Sequence, residues 1–294
     1  MIKRFSKIVI AAVLCVVIAV SSCVSFGAKI IESEDKSIIF YDDTITIDNN
    51  EVYVCADNID EEQIWSVGIK NEKSDESYFV KATDCIDNPQ VIKTIAGEKY
   101  ISSLTKSGYI YKDRYCDFAT TGGEYRKVRA KLHMLNNYFN EDGSRSNSNS
   151  YYSHDYYFGG LEIEDDFKFW SCLMIVSGGV INFVAPDENG YVEIYVSTDI
   201  RYNTSFYTDF AYDGGRVSGG GGGYCGGTLY GLRKGTIDGS KYSPRVMDVT
   251  AIQRNVAKLQ SFDSIQTYRA DIDSSGVIDI MDASLIQQYL AMYD

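Results

Sequence analysis

The chain has 294 residues, 41 of them acidic and 28 basic, and a formal net charge of −13. That balance argues against a nucleic-acid partner, which would call for a basic stripe. Two histidines are too few for a multi-histidine transition-metal centre, and the length suffices for one to three small domains.

Residues 1–28 read as an export signal. Lys3, Arg4 and Lys7 precede an apolar run from Ile8 to Val20 that is short for a membrane span. Two exits are open. Ser25-Phe-Gly27 offers small residues to an ordinary signal peptidase, whereas Val20-Ser-Ser-Cys23 resembles a lipobox, in which Cys23 would be acylated. Simple secretion is the expectation: an extracellular or cell-surface protein without a membrane span in its mature form. Beyond the signal lie Cys55, Cys85, Cys116, Cys172 and Cys225, odd in number, sparse and without a CxxC pair. A disulfide framework would use closer, even spacing.

The body, residues 29–235, predicts strands. Ser37–Tyr41, Thr44–Ile47 and Glu51–Cys55 alternate at period two, with Asp48-Asn49-Asn50 as a hairpin turn. Ile64–Lys70 and Ser77–Ala82 repeat the pattern across a polar turn, and Gly108–Lys112 and Arg114–Phe118 continue it. Val128, Ala130, Leu132 and Met134 alternate strictly, which predicts a strand over Tyr125–Met134. Val180–Ala185, a Pro186–Gly190 turn and Tyr191–Ser197 predict a hairpin. Residues 140–150 are polar and aperiodic, so 139–150 is expected to be a linker or loop. The expectation is therefore a mainly β chain, with either two β-sandwich or jelly-roll-like modules (29–138 and 151–235) or one larger sandwich carrying a long loop. Ile181–Val196 and Gly226–Gly235 weakly resemble the jelly-roll-type accessory domain of secreted pectate lyases, which implies carbohydrate attachment and no catalytic residue.

The most unusual stretch of the body is Tyr151-Tyr152-Ser-His154-Asp155-Tyr156-Tyr157-Phe. Tyrosine rings can stack on the apolar faces of sugars while His154 and Asp155 bond hydroxyls, so this is a candidate glycan platform. Trp65, Tyr202, Tyr207 and Tyr212 are further candidates, although aromatic residues also populate ordinary strands. Glu162 and Glu164 share a strand face at a spacing that a glycosidase pair could use, but in so acidic a chain such clusters arise freely. Ser218–Gly227 formally contains GxGxxG without the following helix that a dinucleotide site needs. No GxSxG or HExxH motif and no Cys/His signature occurs.

Near the end, Asp271, Asp273, Ser275, Asp279 and Asp282 fall at positions 1, 3, 5, 9 and 12 of a loop with Gly276 at position 6 and Ile278 at position 8. A hard cation such as Ca2+ takes about six to eight oxygens, and this spacing wraps one when glycine permits a sharp mid-loop turn. Val277 would lend its carbonyl, and Ile278 would point into a small core. Ala283, Ile286 and Leu290 then mark one face of a helix. The register recurs 34 residues upstream, with Asp, Ile, Gln and Ala at 248/282, 252/286, 253/287 and 257/291.

A duplicated calcium loop with only an exit helix resembles a type I dockerin, over about residues 236–294. The resemblance implies Ca2+ as ligand and a cohesin domain of a scaffoldin or cell-surface protein as partner. It also implies recognition through positions 10 and 11 of each loop, Val246/Met247 and Ile280/Met281, and through Gln253, Arg254, Gln287 and Gln288 on the helices. The apolar pairs could equally pack the module's own core. The first loop departs from the pattern. With one inserted residue Thr236, Asp238 and Ser240 take positions 1, 3 and 5 and Asp248 closes the loop, but Lys241 and Arg245 bring positive charge, so this site is expected to be weak or empty. Taken together, the chain is expected to be a secreted cellulosome component whose β region binds plant polysaccharide. A small glycoside hydrolase or polysaccharide lyase, and a structural or anchoring protein, are the alternatives.

Overall fold

The computed structural model describes residues 30–59, 65–71, 73, 77–95, 100–106, 116–118, 122–135, 139, 141, 173–209, 224–239 and 243–293. The protein is mainly β, with three sheets and four helices among the described residues.

The first sheet runs β1 (Ile31–Glu32), β2 (Ile38–Ile47), β9 (Gly123–Lys131) and β12 (Tyr191–Ser197). In β12, Val192, Ile194 and Val196 are buried while Tyr191, Glu193 and Tyr195 are half-buried. That alternation is the mark of a sheet with one face on the core. The central sheet has six strands in the order β14 (Tyr224–Thr228), β13 (Thr204–Asp209), β10 (Leu173–Ser177), β11 (Val180–Val184), β3 (Glu51–Asp57) and β6 (Gln90–Lys93). Every residue of β10 and β11 is buried. Leu173 and Ile175 join a core with Phe40, Val128 and Ile194 of the first sheet. Met174, Val176, Ile181 and Phe183 point the other way, onto Ile69 and Val80. Those two belong to the third sheet, ordered β5 (Ser77–Lys81), β4 (Trp65–Asn71), β7 (Tyr100–Lys106) and β8 (Cys116–Phe118). The apolar run Leu-Met-Ile-Val and the run Val-Ile-Asn-Phe-Val, apolar but for Asn182, thus belong to a sheet covered on both faces.

Two expected hairpins are not hairpins. The turn at Asp48–Asn50 carries the chain from β2 in the first sheet to β3 in the central one. The Pro186–Gly190 turn likewise leads from β11 to β12, which lie in different sheets. Both are arches. Asp187 Oδ1 accepts from the Asn189 and Tyr191 amides at 2.9 Å each, so the turn chemistry is as the sequence implies. Turn residues specify a reversal, but not whether the two strands then bond edge to edge or stack face to face. Across the second arch, buried Asn182 replaces the missing ladder. Its Nδ2 donates to the Ile175 and Tyr195 carbonyls, both at 3.1 Å, and its Oδ1 accepts from the Tyr195 amide at 2.8 Å. Left bare at this depth, each such group would cost about 1–3 kcal/mol. Consecutive strands do pair antiparallel at β4–β5 and at β10–β11, the latter around Gly178-Gly179.

Strands from before and after residue 150 share the first and the central sheet: β9 lies between β2 and β12, and β3 pairs in parallel with β11. The body is accordingly one interleaved β unit, and a division into modules at 29–138 and 151–235 does not describe it. The strand expected over Tyr125–Met134 ends at Lys131, and the chain continues as a helical turn, α1 (Leu132–Leu135).

The C-terminal unit has three helices, α2 (Val246–Val256), α3 (Ser264–Ala270) and α4 (Ile280–Tyr293). Its core gathers Ile237, Val249, Ile252, Ala270, Ile272, Ala283 and Ile286. The sequence reading missed α3, although Asp263-Ser-Ile-Gln266 announces it: Asp263 Oδ1 accepts from the Gln266 amide at 2.8 Å and Gln266 Oε1 from the Asp263 amide at 3.2 Å. The unit sits against the body. Tyr268 stacks on Phe40 with ring centroids 3.8 Å apart, and Ser264 Oγ donates to the Glu32 carbonyl at 2.7 Å. Residues 231–237, where a module boundary is expected, are buried throughout. Among the described residues no helix is long and apolar enough to cross a membrane.

Candidate metal centre and its counterpart

The loop from Asp271 to Asp282 is built around one buried carboxylate. Asp282, in the first turn of α4, is fully buried. Its Oδ1 accepts from the Ile272 amide at 2.7 Å and its Oδ2 from the Asp279 amide at 2.9 Å, so it closes both ends of the loop. Burial pushes its carboxyl above the ordinary carboxylate range. Asp271 Oδ2 accepts from the Gly276 amide at 3.0 Å, and Asp273 Oδ1 from the Ser275 amide at 2.9 Å. The Ser275 amide is the main reason that Asp273 sits below the ordinary range. Gly276 has φ +81 and open space where a Cβ would go, so glycine is required there by backbone conformation and not by crowding.

Asp271, Asp273 and Asp282 come together, with one carboxylate oxygen from each lying within 4.8 Å of the others. Ser275 Oγ lies 3.5 Å from Asp271 Oδ1 and donates to the Val277 carbonyl at 3.1 Å. Asp279 lies outside that trio: its Oδ1 accepts from the Met281 amide at 2.6 Å and so caps α4. Ile278 is partly buried against the unit's core. Lys234 holds the loop from behind, its Nζ donating to the Asp271 carbonyl and, at 2.8 Å, to Ser274 Oγ. Sequence reasoning missed this contact, because a lysine outside the loop pattern gives no local signal.

The upstream loop has the same frame. Asp248 is buried; its Oδ1 accepts from the Ile237 amide at 2.8 Å and its Oδ2 from the Arg245 amide at 2.9 Å. These bonds pair Ile237 with Ile272 and Arg245 with Asp279, so the upstream loop is one residue longer and Thr236 and Asp238 correspond to Asp271 and Asp273. The filling differs. Thr236 Oγ1 donates to the Arg233 carbonyl at 3.0 Å, and exposed Asp238 pairs with Arg245 at 2.8 Å. Ser240 lies outside the described residues.

The apolar pairs at loop positions 10 and 11 do not pack the unit's core. Val246 is 69% exposed, Met247 70%, Ile280 58% and Met281 53%. Gln253, Arg254, Gln287 and Gln288 are exposed beside them. Gln288 also lines a cleft of about 390 Å³ between α4 and the body, with Leu285 and Tyr289 on one wall and Thr198 and Ile200 on the other.

Tyr151, Tyr152, His154, Asp155, Tyr156 and Tyr157 lie outside the described residues, as do Glu162, Glu164, Tyr212 and Cys23. Trp65 and Tyr207 lie on β4 and β13. Tyr202 is half-buried, with the Arg201 guanidinium 5.7 Å from its ring centre. Cys55 and Cys85 are free thiols, both pushed up by burial, to about 12 and about 11. No protein-family model, curated protein or solved structure matches the chain.

Proposed function

We propose that the loop Asp271–Asp282 binds a calcium ion and that residues 236–294 act as a dockerin-type module engaging a cohesin domain. The observation that carries the reading is the meeting of Asp271, Asp273 and Asp282 in a loop turned by Gly276 at φ +81. Two oxygens each about 2.3–2.6 Å from one ion lie no more than about 5.2 Å apart. The 4.8 Å limit on the three carboxylates fits that requirement. Ser275 Oγ and the Val277 carbonyl stand beside them as neutral oxygens, and Asp282 joins from the start of α4, where it also fixes the Ile272 and Asp279 amides. A bound cation would offset the cost of burying the Asp282 charge. The same sphere would then tie the loop to the helix that follows it.

The exposed Val246/Met247 and Ile280/Met281 pairs, flanked by Gln253, Arg254, Gln287 and Gln288, supply the contact surface in this reading. The resulting role is that of a secreted cellulosome component, with the β body binding plant cell-wall polysaccharide. That last part rests on the tyrosine-rich segment 151–157 of the sequence. Calcium titration followed by thermal melting tests the ion: Asp271→Ala with Asp273→Ala removes the calcium-induced rise in melting temperature, and an unchanged rise overturns the site. Retention on immobilised cohesins tests the docking. Retention on insoluble polysaccharides, with sugar release assayed in the same tubes, separates a binding body from a glycoside hydrolase or lyase.

A further inference from the structure

We infer that the Arg245 guanidinium takes the place of the cation in the upstream loop, so that the C-terminal unit is a one-ion module whose first half is closed by its own side chain. The shared hydrogen-bond frame sets the correspondence. Asp248 and Asp282 each accept the amide of the second residue of their own loop and the amide three residues before themselves, and Asp282 takes the Asp273 amide at 3.4 Å as well. By that measure Arg245 stands where the second loop has Asp279. Its Nη2 donates to Asp238 Oδ2 at 2.8 Å, and Asp238 stands where the second loop has Asp273. Its Nε lies 3.9 Å from Asp248 Oδ2. One guanidinium therefore spans the two carboxylates of the loop from the position of a third. A divalent ion would do the same in the partner loop.

The charges agree with the geometry. At corresponding positions the second loop carries Asp271, Asp273, Asp279 and Asp282, and the first carries Thr236, Asp238, Arg245 and Asp248. The set falls from four carboxylates to two carboxylates and a fixed cation, which repels a divalent ion at close range. A second guanidinium walls the loop from inside. A Cβ placed on Gly239 would come within 2.6 Å of Arg269 Nη1, and Arg269 is buried with its Nη2 donating to the Gly231 carbonyl at 2.6 Å. Thr236 spends its hydroxyl on the Arg233 carbonyl, on the chain side of the loop. The count of one ion rests on the calcium reading of the second loop; the closure of the first loop does not.

The test is ion stoichiometry on the full chain, read by native mass spectrometry and by terbium luminescence. The wild type is expected to take one equivalent and Asp271→Ala/Asp273→Ala none. Arg245→Asp restores a carboxylate at the corresponding position and is expected to take a second equivalent. It should also become less stable than the wild type in chelator, with calcium restoring it. Arg245→Gln is the milder companion should Arg245→Asp fold poorly, with the second equivalent appearing only at higher ion concentration. Two equivalents in the wild type overturn the inference, as does one equivalent that survives Asp271→Ala/Asp273→Ala and is lost in Asp238→Asn. Folded Arg245 variants that take no added ion overturn it too. No ion on the wild type would sink the calcium reading of the second loop. Arg245→Asp would then still decide the first, by gaining one equivalent or none.

Discussion

The two loops of the C-terminal unit share a frame and differ in what fills it. In each, a buried aspartate in the first helical turn accepts two backbone amides and so holds the loop to its exit helix. In one, Asp271 and Asp273 converge on that aspartate; in the other an arginine and an aspartate pair. The difference teaches that such a loop has two separable requirements. Its backbone is set by the closing aspartate and a residue at positive φ in position 4, Gly239 in one loop and Ser274 in the other, while its occupant is set by the side chains at the odd positions.

The largest effect expected from separating these is at the closers. Asp248→Ala and Asp282→Ala should each cost about 3 kcal/mol in chelator, because each strips one buried and one part-buried amide of a charged acceptor. Urea melts read this, and a large inequality between the two would break the equivalence of the frames. Calcium sharpens the contrast: at about 100 times its dissociation constant it should add about 2.7 kcal/mol to the wild type and to Asp248→Ala, and nothing to Asp282→Ala.

Smaller effects are expected at the turns. Gly276→Ala should cost about 1–2 kcal/mol from the left-handed backbone alone, since its Cβ meets open space. Gly239→Ala, also at positive φ (+66), should cost more, because its Cβ must displace Arg269 as well. Equal losses would mean that Arg269 does not wall the first loop.

The smallest effect is in pH. Burial holds Asp248 and Asp282 above the ordinary carboxylate range. Each therefore contributes stability that is present below the ordinary value, near 3.9, and lost as pH rises through the folded value. In chelator, Asp248→Asn and Asp282→Asn should each make the melting temperature rise less, or fall more, on mild acidification than in the wild type, where the lowered carboxylates Asp35, Asp187, Asp199 and Asp273 act in the opposite direction. In calcium the difference owed to Asp282 should vanish, because the ion favours the charged form, while the difference owed to Asp248 persists.

Much of this unit was legible locally. The odd-numbered oxygens, Gly276, the 34-residue repeat and the helical faces at Ala283 and Ile286 are all short-range patterns, and the convergence of the loop follows from them. The alignment of Thr236 and Asp238 with Asp271 and Asp273 through one inserted residue was legible as well. The helix α3 was there to be read in its capping residues, Asp263 and Gln266. The exposure of Val246, Met247, Ile280 and Met281 was not, since an apolar pair beside a helix start suits a core and a contact surface equally.

In the body the sequence by itself determined that the chain is mainly β, because period-two alternation and turn residues depend on neighbours a few positions apart. It also determined where the chain reverses, at Asp48–Asn50 and at Pro186–Gly190. Only the tertiary structure decided which strands pair, that both reversals are arches, and that residues before and after 150 build the same sheets. It alone decided that Asn182 would serve as a strand's bonding edge, that Lys234 would brace the second loop and that Arg245 would reach Asp238. The physical reason is range. A turn, a cap or a loop glycine acts on its own backbone, whereas sheet order, the burial of a polar side chain and the partner of a charge depend on which distant surfaces exclude water together.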